Sequence, residues 1–137
     1  MSSRDEIVEF LTREFPQNKC IVEAVGNGSA TVKQVIGDEQ LRPGGTVSGP
    51  VLMAVADVAL YVAILGEVGI VPLAMTSSLT INFLRRALPE KSIVGVCKLL
   101  RVGRSLAVGD VFLYSEGSDE LVAHAVGTYS IPRKNGL

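Results

Sequence analysis

Hydrophobic residues follow two different spacings along this chain, and each spacing predicts a different element. Near the start, the apolar positions recur every three to four residues, at Ile7, Val8, Leu11 and Phe15. This spacing predicts an amphipathic helix. Ser2 or Ser3 can cap it, and Pro16 ends it.

Runs of β-branched residues predict strands in two other parts of the chain. Residues 21–25 and 30–36 form the first pair, and Gly26-Asn27-Gly28-Ser29 between them predicts a hairpin turn. Further β-rich stretches follow in the second half, at 74–84, 92–100, 106–115 and 120–131, with turns at 88–91 and 116–119.

The two groups of strands are separated by a loop and a long apolar run. Residues 37–49 are rich in Gly, Pro, Asp and Arg, and 50–65 are apolar almost throughout. The length of the run favours a helix over a strand. Pro50 suits the first helical position, with Ser48 or Gly49 as the cap. A helix that is apolar all round is expected to be buried on every side.

The order of elements predicts an α+β class, because strands and helices do not alternate. We expect one curled antiparallel sheet of about six strands wrapped round the long helix, with a second copy of the chain covering the remaining seam. The chain is predicted to be a single domain over 1–137, with the N-terminal helix in 1–18 and a frayed tail over 132–137.

Composition narrows the class of function. With 47% hydrophobic residues and a net charge of -1, the chain lacks the basic character of a nucleic-acid-binding protein. The apolar excess indicates a buried subunit interface. Cys20 and Cys97 do not form a disulfide framework, and the polar start does not resemble a signal peptide, so we expect a cytoplasmic protein. The charges of Asp57 and Glu67 argue against a membrane span within the apolar stretch 50–75.

Asp57 is the one residue that does not fit the apolar helix. A buried carboxylate is costly unless it is paired or functional, so it is either a satisfied structural residue or a catalytic one. Upstream, the free N–H groups at the helix N-terminus could stabilise an oxyanion, and Gly49 leaves room for a ligand there. The alternative is a plain glycine-rich loop that caps a helix.

Gly49 and Asp57 are too far apart to act together within one helix. Eight residues at 1.5 Å each separate them by about 12 Å. Two such helices packed antiparallel about a two-fold axis could bring Gly49 of one chain beside Asp57 of the other. A stripe of small residues at Ala56, Ala59 and Ala63 could allow this close packing. The spacing therefore predicts a site shared across a homodimer.

Three stretches give the chain a specific resemblance to a known family. They are Gly44-Gly45 through Ser48-Gly49-Pro50 to Asp57, the run Thr76 to Ala87, and the final hairpin from Val102-Gly103-Arg104 to Ser130. Over roughly residues 30 to 131 the chain resembles PaaI-type hotdog thioesterases, akin to 4-hydroxybenzoyl-CoA thioesterase. The resemblance implies a hotdog fold and hydrolysis of an acyl-CoA, with no cofactor other than the coenzyme A of the substrate.

The resemblance also implies roles for individual residues. Asp57 matches the carboxylate that attacks the thioester or activates water, and Gly49 matches the glycine whose N–H polarises the carbonyl. Thr76 matches a hydroxyl that holds the water or the carboxylate, and Tyr61 lies where a polar helper occurs.

Two positions depart from the family pattern. Ser48 replaces a frequent His and could donate a hydrogen bond, and Arg42 replaces an Asn or Gln and could hold a carbonyl or a CoA phosphate.

Basic residues in the second half are candidates for binding the CoA phosphates. We expect them to form one region, made of Arg85, Arg86, Lys91, Lys98, Arg101 and Arg104. Arg85 and Arg104 are the preferred phosphate ligands; the alternative is a solvated sheet edge. The single histidine, His124, is expected to be structural, and no cluster has the spacing of a metal site.

Two other functions compete with thioester hydrolysis. A hotdog hydratase or dehydratase would need a histidine near the long helix, and none lies there. A protein that binds or senses acyl-CoA without cleaving it fits the departures at Ser48 and Arg42. A pure binder gains nothing from the buried charge of Asp57, which favours the enzyme. The expected assembly is a homodimer, which could pair further into a dimer of dimers.

Overall fold

Helix α1 spans Arg4–Glu14 in the computed structural model, which describes residues 1–132. Ser3 caps this helix, because its hydroxyl accepts a hydrogen bond from the Glu6 N–H at 3.2 Å while the Glu6 carboxylate accepts one from the Ser3 N–H at 3.0 Å. Ile7, Phe10 and Leu11 form the buried face. The predicted helix is confirmed. The tail predicted over 132–137 lies, beyond Pro132, outside the described residues.

The predicted hairpin is present as strands β1 (Ile21–Gly26) and β2 (Ser29–Gln34). Asn27 and Gly28 form its tight turn with φ angles of 54° and 70°. Positive φ at both central residues is the geometry that matches the twist of the flanking strands.

The segment 37–49 is more ordered than the predicted loop. It contains a 3-10 turn at Asp38–Gln40 and a small antiparallel ribbon of β3 (Leu41–Arg42) and β4 (Thr46–Val47). The Ser48 N–H donates to the Gln40 carbonyl at 2.9 Å, which fixes the entry into the next helix.

Helix α2 spans Gly49–Val68, with Ser48 as the N-cap residue and Pro50 as its second residue. It ends at Gly69, whose φ of 94° only glycine adopts readily. By length and composition this helix could cross a membrane, but 67% of its apolar window is buried inside the chain's own fold, as in a core helix.

Four strands complete the fold: β5 (Met75–Phe83), β6 (Ile93–Val102), β7 (Leu106–Ser115) and β8 (Leu121–Ser130). The six long strands form one antiparallel sheet in the order β1-β2-β6-β7-β8-β5. This sheet and its single long central helix confirm the predicted α+β hotdog architecture.

Close approach between the sheet and α2 depends on residues without side chains. A Cβ added at Gly109 would lie 3.1 Å from the Leu60 side chain, and one added at Gly127 would collide with it. Gly109 and Gly127 are cross-strand partners on β7 and β8. The helix can therefore settle deeply against the middle of the sheet.

One face of α2 is open to solvent in the single chain, as the predicted seam requires. Pro50, Met53 and Ala54 are exposed, and Asp57 is half-buried on the same side. The small residues Ala56, Ala59 and Ala63 are fully buried within the chain. They pack inside the fold and cannot form the predicted packing surface for a second chain.

Candidate active site

Asp57 lies beneath the junction of two neighbouring strands. Thr76 at the start of β5 and Tyr129 at the end of β8 are direct cross-strand partners. The Tyr129 hydroxyl donates to Asp57 Oδ1 at 2.9 Å and lies 3.2 Å from the Asp57 backbone carbonyl. The Thr76 hydroxyl donates to the same Oδ1. The sheet register therefore places two hydroxyl donors on one carboxylate oxygen.

This arrangement leaves the two oxygens of Asp57 in different environments. Among residues 1–132, the hydrogen bonds that reach the carboxylate end on Oδ1, and none reaches Oδ2. Burial, followed by the nearby Asp57 charge, raises the pKa of Tyr129 well above its usual range. Tyr129 thus remains a protonated donor at neutral pH, and Oδ2 accepts no hydrogen bond from the described residues.

A cavity of about 380 Å³ opens beside this carboxylate. Thr76 and Tyr129 line it together with Tyr61, one turn beyond Asp57 on α2. The Tyr61 hydroxyl donates to the Pro72 carbonyl at 3.3 Å. Burial raises the pKa of Tyr61, so this hydroxyl is neutral as well. Three of the residues singled out in the sequence, Asp57, Thr76 and Tyr61, therefore share one cavity.

Gly49 lies in a different cavity, of about 470 Å³, at the N-terminus of α2. Arg42 and Arg85 line this second cavity, and Phe83 covers Gly49. A Cβ added at Gly49 would lie 3.3 Å from the Phe83 ring, so the glycine allows a tight contact. Arg85 is also held by the Leu121 carbonyl at 3.1 Å and by the Glu120 carboxylate.

Ser48, beside Gly49, makes no side-chain hydrogen bond to the helix that it caps. Its hydroxyl is not needed to cap α2 and could donate a bond to a ligand at the N-terminus.

The predicted single basic region is wrong, because its members lie at opposite ends of the sheet. Val102 pairs with Ala107, which pairs with Tyr129, so the β6–β7 turn that carries Arg104 lies at the Thr76 end. Arg85 follows β5 at the other end, roughly 20 Å or more away at the usual rise of a strand. The prediction failed because these residues are close in sequence, which does not show that the strands carry them to opposite ends of the sheet.

The lone histidine belongs to the face of the sheet turned away from α2. His124 Nε2 lies 2.8 Å from Asp110 Oδ1, and its ring packs 5.2 Å from that of Phe112. Alternation along β7 and β8 sends these side chains away from Asp57. Among the described residues, no group of three or more His, Cys, Asp or Glu side chains could hold a metal ion.

Both cysteines are free and unreactive in this fold. Burial raises the pKa of Cys20 to about 11 and, with a smaller effect of Asp110, that of Cys97 to about 12. Neither is a thiolate at neutral pH, so neither is a nucleophile for the site.

Sequence reasoning missed three aromatic residues that line the Asp57 cavity: Tyr129, Phe10 and Phe15. Tyr129 carried a signal, because alternation along β8 places it on the buried face with Ala125 and Gly127. A buried tyrosine hydroxyl needs a hydrogen-bond partner. The phenylalanines gave only the pattern of an ordinary amphipathic helix.

Comparison with known proteins gives a consistent result. The sequence model of the thioesterase superfamily matches residues 44–122. The fold is similar to that of a candidate thioesterase from a Silicibacter species, with a TM-score of 0.87 and 38% identity over 96% of this chain and 92% of that one. None of the curated proteins matches the chain in sequence.

Two more distant structures are similar in fold. The E. coli PaaI protein from the phenylacetic acid degradation operon has a TM-score of 0.83 and 18% identity, over 95% of this chain and 94% of that one. Zebrafish thioesterase superfamily member 2 has the same TM-score and 19% identity, over 96% and 99%. The resemblance drawn from the sequence motifs is confirmed.

Proposed function

The chain belongs to the thioesterase superfamily, and we propose that it hydrolyses an acyl-CoA thioester to the free acid and coenzyme A. The observation that carries this proposal is the Asp57 carboxylate, which is held through one oxygen by Thr76 and Tyr129 at the wall of a cavity. A carboxylate that is fixed and still open on one side is suited to act on a substrate.

In this proposal Oδ2 of Asp57 is the reacting atom. It either attacks the thioester carbon, expelling CoA thiolate and leaving an anhydride that water cleaves, or it takes a proton from a water that attacks the same carbon. Thr76 and Tyr129 act as positioning residues. A single turnover in ¹⁸O-labelled water separates the routes, because only the anhydride route can place the label in the Asp57 side chain.

The hydroxyls that line the Asp57 cavity within residues 1–132 already donate to Asp57 or to the Pro72 carbonyl, so the developing oxyanion needs other donors. We assign this role to the Gly49 N–H, at the positive end of α2. Because Gly49 and Asp57 line separate cavities, the proposed site joins two chains in a homodimer. The exposed face of α2 at Pro50, Met53 and Ala54 supplies a surface for the second copy.

The CoA phosphates require cations, and we place them at the Gly49 end. Arg42 and Arg85 line that cavity, and Ser48 directly precedes Gly49 as the N-cap residue of α2. In an antiparallel pair of chains the Arg85 end of one subunit approaches the Arg104 end of the other, so both arginines could serve one substrate.

The proposed chemistry uses the chain's own residues and needs no cofactor beyond the coenzyme A of the substrate. We propose a cytoplasmic enzyme, since both cysteines are free, which suits a reducing compartment. A dimer of dimers remains a proposal for the full assembly.

The decisive experiment is a hydrolysis screen against short, medium-chain and aromatic acyl-CoAs. A chromogenic thiol reagent measures free CoA, and chromatography measures the acid. We expect the two products in equal amounts. Saturable binding of acyl-CoA without release of either product would favour the alternative, a protein that senses acyl-CoA.

A further inference from the structure

The cavity beside Asp57 has one wall that comes from α1. Phe10, Glu14 and Phe15 line this wall. Phe10 is only 5% exposed, and its ring centroid lies 6.4 Å from that of Tyr61, which lies 6.1 Å from that of Tyr129. Three rings therefore connect α1 with the residue that holds the carboxylate.

The remaining lining is largely apolar. Val58 and Ala74 are buried, and Met75 is 62% exposed towards the rim. A space bounded by aromatic and aliphatic side chains favours an apolar group over a hydrated one.

The charges around the cavity exclude the other half of the substrate. Of the residues in 1–132 that line it, the carboxylates are Asp57 and Glu14, and no Lys, Arg or His is among them. Bringing CoA phosphates between two carboxylates would be repulsive. The phosphates are better accommodated by Arg42 and Arg85 in the other cavity.

We infer that this cavity binds the acyl group, that α1 forms its outer wall, and that Phe10 and Phe15 limit the length of the acyl chain; this inference rests on the proposed function. Glu14, whose side chain is 54% exposed at the rim, pairs with Arg13 at 3.4 Å, but only Glu14 of this pair lines the cavity, where it selects against acyl groups that end in a carboxylate. Specificity thus depends on a helix that supplies no catalytic group.

The dependence of kcat/KM on acyl-chain length tests whether α1 forms the wall of the acyl cavity. The ratio of kcat/KM for decanoyl-CoA to that for butyryl-CoA is measured for the wild type, Phe10→Leu and Phe15→Ala. We expect either variant to raise this ratio by at least about tenfold, because a few methylenes gained or lost in an apolar pocket change specificity by that much. Leu11→Ala is the matched control, since Leu11 is buried on the same helix but lines the groove towards β1.

A binding measurement tests the same wall without requiring turnover. Non-hydrolysable thioether analogues of the same two esters give the corresponding ratio of Kd values by calorimetry. If the wild type binds the analogues but hydrolyses neither ester, the proposed hydrolysis fails and the ratio of Kd values still tests the wall. Equal ratios in the wild type and both phenylalanine variants, or a change as large in Leu11→Ala, would overturn the inference. So would the absence of any analogue binding.

Glu14 is tested with acyl groups of equal length and different charge. Glu14→Gln is expected to raise turnover of adipoyl-CoA relative to hexanoyl-CoA about two- to fivefold at low salt, because an exposed charge has a modest effect that salt screens. Glu9→Gln on the same helix is the control, since Glu9 and Glu14 both pair with Arg13, at 3.6 Å and 3.4 Å, and only Glu14 lines the cavity. An unchanged ratio in Glu14→Gln would remove the proposed charge selection.

Discussion

The two ends of the first half of α2 carry opposite chemistry. Around Asp57, two hydroxyl donors converge on a carboxylate, aromatic rings enclose a cavity, and the other charged residue at its rim is acidic. Around Gly49, backbone N–H groups and the arginines Arg42 and Arg85 supply positive charge, with no carboxylate lining the described cavity.

Each end lacks what the other contains. Thioester hydrolysis needs a carboxylate, donors for an oxyanion and cations for the CoA phosphates. The separation of about 12 Å along the helix keeps these parts from meeting within one chain. We therefore propose that a single subunit contains two half-sites and that two chains are needed to make one whole site.

The largest expected effect follows from Asp57→Asn. Losing the nucleophile or base should lower kcat/KM at least about 10²-fold while the fold remains, because the amide keeps the shape of the side chain. Thiol release measures the activity, and thermal unfolding followed by circular dichroism checks the fold. Asp110→Asn is the control, since that carboxylate bonds His124 on the other face of the sheet. Near-wild-type turnover in Asp57→Asn would remove Asp57 from the mechanism.

A smaller loss is expected when Asp57 stays but one of its donors is removed. Tyr129→Phe and Thr76→Val should each lower kcat about tenfold, since hydrogen bonds to a charged group contribute about 1.5–3 kcal/mol. The KM should change little, because neither hydroxyl is assigned to substrate binding. Tyr114→Phe, on the outer face of β7, is the matched control. If KM rises while kcat is unchanged, the two hydroxyls bind substrate and do not position the carboxylate.

The contrast between the two ends was only partly predictable from the sequence. Asp57 in an apolar run and the glycine at a helix N-terminus are local signals, and both lie on α2 as predicted. The sheet was predictable for the same reason, because β-branched runs and the Asn27-Gly28 turn are local features.

Contacts between distant parts of the chain were not predictable in this way. Tyr129 reaches Asp57 through the packing of β8 against α2, and the register of β5 with β8 brings Thr76 beside it. No local pattern encodes either contact. The pairing of β6 with β7, β7 with β8 and β8 with β5 places Arg85 and Arg104 at opposite ends of the sheet, although both follow strands in one basic stretch. A seam left open by the sheet was predicted along α2, but apolar composition does not reveal which residues form it.

Arginine substitutions address the Gly49 end. Arg42→Ala and Arg85→Ala should raise KM about two- to tenfold and change kcat less, because phosphate contacts far from the carbonyl act as uniform binding. The same result is expected for Arg104→Ala if the partner's end of the sheet contributes. The effect should shrink in higher salt. Lys98→Ala is the control, since Lys98 lies over Phe112 on the outer face. A KM unchanged in all three variants would return these arginines to a solvated surface.

The smallest effect concerns stability at alkaline pH. Burial, with the Asp57 charge, raises the pKa of Tyr129 above the value of about 10 that an unfolded chain has. The resulting contribution of Tyr129 to the free energy of unfolding is complete below pH 10. It is lost as pH rises further, since the tyrosine of the unfolded state then releases its proton first. The free energy of unfolding, measured in urea between pH 9 and 11, should fall with pH more steeply in the wild type than in Tyr129→Phe. The difference in slope should reach up to about 1.4 kcal/mol per pH unit. Equal slopes would mean that the tyrosine is not buried against the carboxylate.

Subunit mixing tests the two half-sites most directly. Asp57→Asn removes the carboxylate. Gly49→Val places a side chain against the Phe83 ring, which would lie 3.3 Å from a Cβ added at Gly49. Each variant alone should be inactive. If each site takes one residue from each chain, a mixed dimer has one site with both lesions and one with neither. Random re-association should then restore about a quarter of wild-type activity. If mass spectrometry shows mixed dimers and no activity returns, each site lies within one chain and the account is contradicted.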